Sequence, residues 1–128
     1  MRIVGEAEFG DRIRSLLLGA TYDDVGSVTG PGRSGAVAAV YASHILRVPF
    51  VPYGAVCPTH LGRLLIIDTA MESGATLRKA ERRYRDADPM VVACYHEPPR
   101  VAFWYESAKP QRYRHERAGN DNAERVAA

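Results

Sequence analysis

Cysteine, lysine and long apolar runs are all scarce in this sequence. No apolar run approaches the roughly 20 residues needed to cross a bilayer, so no membrane-spanning helix is expected. The opening, MRIVGEAEFGD, is too acidic and too short in apolar residues for a signal peptide. Cys57 and Cys94 are the only cysteines, and they lack metal-ligand spacing. Reduced core thiols in a cytoplasmic protein are the expectation, rather than a zinc site or a disulfide framework. Net charge is only +2, too small by itself to argue for a nucleic-acid surface despite Arg112, Arg114 and Arg117 near the end. Lysine is limited to Lys79 and Lys109, a bias that carries no functional weight.

What is present is the patterning of one globular domain. Phe9, Ile13, Leu16 and Leu17 recur at helical spacing and predict an amphipathic helix over residues 6–18. A short strand at 25–29, a glycine-rich turn at 30–35 and a buried helix at 36–46 follow. Residues 48–54 are strand-like but interrupted by prolines, which puts them near a sheet edge. Residues 64–67 are apolar in succession, as a central parallel strand requires. A helix at 76–85, a strand at 90–95 and a last strand at 101–105 complete the pattern. Alternating strands and helices predict an α/β three-layer domain with a mostly parallel central sheet over residues 1–106. The polar, charged stretch 107–128 reads as a tail that packs loosely or is disordered at its end.

In open parallel sheets, ligands bind outside the carboxyl ends of the strands. Two polar glycine loops fall at such ends. In the loop 68–76, Gly74 permits a tight turn, Ala75 leaves the backbone bare, and the hydroxyls of Ser73 and Thr76 meet at a helix start. That is an anion site suited to a phosphate monoester, although a plain capped helix would carry similar residues. Asp68 repels a phosphate but can accept hydrogen bonds from ribose hydroxyls or from metal-bound water. The other loop, with Gly30, Gly32, Arg33, Ser34 and Gly35, could wrap a more highly charged anion with Arg33 as the cation. It falls short of a P-loop, since no Lys-Ser/Thr pair follows.

Together the segments LLIIDTAMESGATL, SVTGPGRSGAVAAVYASHILRVPFV and VVACYHEPPRVAFWYE resemble the type I phosphoribosyltransferases, over roughly residues 24–106. The resemblance implies 5-phosphoribosyl-1-pyrophosphate as substrate, magnesium (Mg2+) as cofactor and attack of a nitrogenous base at C1 of the ribose as pyrophosphate leaves. It implies that Asp68, Thr69, Glu72, Ser73, Gly74, Ala75 and Thr76 hold the 5-phosphate and ribose. Gly30, Gly32, Arg33, Ser34 and Gly35 would hold the pyrophosphate, and Asp68 would meet the metal through water or ligand. A homodimer is expected from the family alone. Two departures stand out: Thr69 replaces the second acid of the signature, and residues 54–64 leave little room for the mobile loop that covers the site in many members. Restoring the acid as Thr69→Asp is expected to raise turnover.

Glu72 stands where 6-oxopurine-specific members carry an aspartate near N7 of the purine, and it would move a proton there as Asp68 flanks the ribose. His96 stands where they place a lysine against O6. One ring among Phe103, Trp104 and Tyr105 would stack on the base, the others being core or surface residues of a strand. The first reading is a small purine phosphoribosyltransferase of the nucleotide salvage class. The second is a weak or inactive relative that binds a nucleotide or phosphoribosyl ligand as a sensor. The third, nucleic-acid binding through the arginine-rich tail, is disfavoured by the net charge.

Overall fold

The computed structural model describes residues 2–71, 73–96 and 101–107. Among these residues the strands and α-helices follow in the order β1 (Ile3–Val4), α1 (Glu6–Leu16), β2 (Val25–Thr29), α2 (Gly32–Leu46), β3 (Arg63–Ala70), α3 (Ala75–Arg83), β4 (Met90–Tyr95), β5 (Ala102–Phe103) and α4 (Trp104–Ser107). No helix among the described residues is long and apolar enough to cross a membrane.

β3 is the centre, as its unbroken apolar run demands. Leu64, Leu65, Ile66 and Ile67 are all fully buried, so both faces of the strand are covered. Leu65 and Ile67 pack with Phe9 and Ile13 of α1 and with Ala38, Ala39 and Ala42 of α2. Leu64 and Ile66 pack with Leu77 and Ala80 of α3 and with Tyr84. The alternation of one strand's side chains therefore divides the domain into helix, sheet and helix layers. The sheet runs β2-β3-β4, all parallel, with Thr29 opposite Ile66 and Asp68 opposite Ala93.

Three elements differ from the sequence expectation. Residues 48–54 form no strand but a single bridge, Phe50 to Val28, flanked by bonds from Val28 N–H to Pro49 O (3.0 Å) and Val51 N–H to Val28 O (2.7 Å). Pro49 and Pro52 have no N–H to extend the ladder. α2 begins at Gly32, four residues before the expected start, because Pro31 caps it and Gly35 N–H already bonds to Pro31 O. The last strand keeps only two residues and pairs with β1, with Val4 opposite Phe103. The chain turns helical at Trp104, where the Glu106 carboxylate accepts a hydrogen bond from Phe103 N–H at 3.0 Å. That contact is half of a capping box, and it overrides the strand propensity of three adjacent aromatics.

The segment 54–62 is short, as expected, and is held away from the carboxyl ends of the strands. The Tyr84 hydroxyl accepts from Gly54 N–H (2.8 Å) and donates to Ala55 O (2.9 Å) at the far end of α3. Cys57 and Cys94 are free thiols, and burial pushes Cys94 up to about 12. The tail expected over 107–128 lies outside the described residues from Ala108 onward.

Candidate functional site

Two helices start at the carboxyl ends of the central strands, and their first turns open on one cleft. In α3 the first intrahelical bond runs from Arg78 N–H to Gly74 O, so the N–H groups before it have no helical partner. Ser73 Oγ takes that of Ala75 (3.2 Å), leaving Thr76 and Leu77 beside the cleft they line. Gly74 caps the helix with φ 81, a conformation glycine adopts freely. In α2 the first bond runs from Gly35 N–H to Pro31 O, so the N–H groups of Gly32, Arg33 and Ser34 have no helical partner.

The cleft has two ends. The α3 end measures about 240 Å³ and is lined by Asp68, Thr69, Ser73, Gly74, Ala75 and Thr76, among others. The α2 end measures about 280 Å³ and is lined by Gly32, Arg33 and Tyr105. Ser34, Asp68 and Glu106 border both. Each end alone is smaller than a typical ligand site of roughly 300–1,000 Å³, and the shared residues join them into one elongated site. Both helix dipoles point their positive ends into it, which favours an anion at each end.

Asp68 lies at the junction. Burial raises its carboxyl above the ordinary value, opposed by hydrogen bonds from Thr69, whose N–H reaches Asp68 Oδ1 at 2.7 Å. Thr69 is 3% exposed and lies beside both the Asp68 carboxylate and the Tyr105 phenol. The Tyr105 hydroxyl in turn donates to Ser34 Oγ at 2.8 Å. Asp68, Thr69, Tyr105 and Ser34 thus lie side by side from one end of the cleft to the other, joined in pairs by the Thr69–Asp68 and Tyr105–Ser34 hydrogen bonds.

The structure brings Asp68, Thr69, Ser73, Gly74, Ala75 and Thr76 together with Gly32, Arg33 and Ser34 around the cleft. It gives Gly30 and Gly35 a different task. A Cβ on Gly30 would come within 2.1 Å of Gly35 O and 2.6 Å of Ile67 O, so these glycines let α2 pack its backbone on β3 and do not line the cleft. His96 follows β4, is exposed, and does not line the cleft. β4 lies on the far side of β3 from β2, whereas the α2 end opens at β2. Glu72 lies outside the described residues.

The aromatic cluster is also arranged differently. Phe103 borders the cleft but is only 2% exposed, and Tyr105 stacks on it at 5.8 Å with the rings 9° apart. Trp104 packs against Phe9 at 5.7 Å. The helical turn at α4, rather than a strand, sets these directions. Glu106 escaped the sequence reading, because the residue that caps its helix is Phe103, which carries none of the usual helix-start signals. Arg33 is the only basic residue among the described residues lining the cleft. No group of three or more His, Cys, Asp or Glu side chains suited to a metal ion occurs among the described residues.

No family model matches the sequence. No curated protein matches it either. Solved structures do match. The xanthine-guanine-hypoxanthine phosphoribosyltransferase of Helicobacter pylori is 11% identical, with a TM-score of 0.62 over 82% of this chain and 92% of that one. A purine phosphoribosyltransferase from Pyrococcus horikoshii OT3 is 16% identical, with a TM-score of 0.61 over 81% and 94%. A hypothetical protein from Neisseria gonorrhoeae with bound ppGpp is 15% identical, with a TM-score of 0.52 over 80% of each chain. The fold is therefore that of the phosphoribosyltransferases.

Proposed function

We propose that this chain, built on the phosphoribosyltransferase fold, transfers a phosphoribosyl group from 5-phosphoribosyl-1-pyrophosphate to a purine base, giving a nucleoside monophosphate and pyrophosphate. The observation that carries the reading is one cleft served by two helix starts, with Asp68 between them. A substrate with a phosphate at one end, a diol in the middle and a pyrophosphate at the other matches that order. The α3 end would take the 5-phosphate through backbone N–H groups and the hydroxyls of Ser73 and Thr76. Asp68 would accept hydrogen bonds from the ribose hydroxyls. The α2 end would take the pyrophosphate through Arg33, Ser34 and the first-turn N–H groups, stabilising charge on the leaving group. Two anchored ends would fix C1 for in-line attack, so positioning supplies much of the catalysis.

Two carboxylates and a single arginine are a poor match for a bare polyanion but suit one that arrives with a hard cation. Asp68 and Glu106 would hold magnesium through water, and the ion would neutralise pyrophosphate charge. Purine recognition rests on Glu72 and the cleft edge of Phe103, since His96 is outside the lining. A cytoplasmic homodimer completes the reading. Incubation with phosphoribosyl pyrophosphate, magnesium and a panel of bases tests it: hypoxanthine or guanine should release pyrophosphate faster than orotate or uracil. No release with any base would sink the enzyme reading.

A second reading, a nucleotide-binding sensor on the same fold, is favoured by one feature of this chain: the second acid of the family signature is replaced by the buried, uncharged Thr69. The Neisseria protein with bound ppGpp has this fold too. Tight binding of a guanosine nucleotide without turnover would select the sensor.

A further inference from the structure

We propose that Tyr105 is a positioning residue for the anion bound at the amino end of α2, setting the Ser34 hydroxyl as a donor to it. The proposal rests on the phosphoribosyltransferase reading of the cleft and gives one residue of it a role that the sequence reading assigned otherwise. A serine hydroxyl at a helix start rotates freely, and it helps an anion only when its hydrogen points outward. The Tyr105 hydroxyl donates to Ser34 Oγ at 2.8 Å, so one lone pair of Ser34 is occupied and its own hydrogen is left for another acceptor. Ser34 borders both ends of the cleft, where that acceptor would sit.

The phenol is itself held on two sides. Its ring stacks on Phe103 on one side and meets Trp104 edge-on at 5.1 Å on another. A rigid support of this kind is what fixes a binding donor in its productive rotamer. Burial raises the Tyr105 hydroxyl above its ordinary value of 10.0, so it stays protonated and keeps donating throughout the neutral range. Tyr105 and Ser34 lie 71 positions apart in the chain, and the contact forms only because β5 and α4 bring the phenol back to the α2 loop.

Calorimetry on the full chain with two probes tests the assignment, both in magnesium: inorganic pyrophosphate, and GMP. Tyr105→Phe keeps the ring and removes only the hydroxyl. It should weaken pyrophosphate by about tenfold, the order expected for one lost hydrogen bond to a charged group, and GMP by less than about twofold. Ser34→Ala should weaken pyrophosphate similarly, and adding Tyr105→Phe to it should change nothing further. If Tyr105→Phe fails to fold, Ser34→Ala still breaks the contact from the other side, and unchanged pyrophosphate affinity there overturns the proposal. Equal losses for both probes, or additive losses in the double variant, would make Tyr105 a general support and overturn it too. Wild-type protein that binds both probes with Tyr105→Phe unaltered removes this inference and leaves the proposed function standing. Wild-type protein that binds neither removes both.

Discussion

Asp68 pays for its position with stability. Its carboxyl is raised by burial, so the folded state holds the proton more tightly than the unfolded chain does. Such a group contributes fully below the ordinary value of 3.8, and that contribution is lost as pH rises through the raised folded value. Asp68→Asn keeps an acceptor for Thr69 N–H and removes the charge. It should therefore raise Tm by about 4 °C at neutral pH, about 1 kcal/mol, while removing most turnover. Thermal melts across pH would show the gain vanish below 3.8; a gain that persists there would assign it to another cause. Thr69 reverses an expectation drawn from the family signature. At 3% exposure and packed beside Asp68 and Tyr105, it is a filled position rather than a vacant place for an acid. Thr69→Asp would bury a second carboxylate beside Asp68, at a cost of about 2 kcal/mol, and should lower turnover as well as Tm. A rise in kcat with an unchanged melt would restore the simpler view.

The α2 element owes its seat to glycines that do different things. Gly30 and Gly35 face one another's backbones, and a Cβ at Gly30 would meet Gly35 O at 2.1 Å. Gly30→Ala should then cost about 3 kcal/mol or more, through displacement of α2 from β3. Gly32 has φ 67 with open space around its missing Cβ. There the penalty is conformational alone, about 1 kcal/mol for Gly32→Ala. Denaturant melts of the two variants should differ clearly, and equal losses would show that α2 does not depend on close packing at Gly30.

The three-layer molecule makes its cleft from elements far apart in sequence, so ligand binding should stabilise the whole domain. Phosphoribosyl pyrophosphate with magnesium at 100 times its Kd should add about 2.7 kcal/mol, or about 10 °C in Tm. Pyrophosphate and a nucleoside monophosphate, occupying opposite ends, should each give part of that shift. Differential scanning calorimetry reads it directly; a chain that melts at the same temperature with all three ligands does not bind them.

Much of this arrangement was legible in local pattern. The apolar run ending at Asp68 placed β3 at the centre, helical periodicity located α1, and two polar glycine loops marked the carboxyl ends where the cleft lies. These signals are local: strand and helix periods, turn residues and hydroxyls at helix starts are written within a few positions. The partner of β5, the helical turn at Trp104 and the arrival of Tyr105 and Glu106 at the cleft were not. They depend on burying Phe103 against Phe9 and Tyr95, at 5.9 and 5.7 Å, and on β1 accepting β5 as its neighbour. Those contacts join the two ends of the described chain, and no local period records them. Only when the core closes around Phe103 do the Tyr105 phenol and the Glu106 carboxylate meet the loops that sequence had already marked.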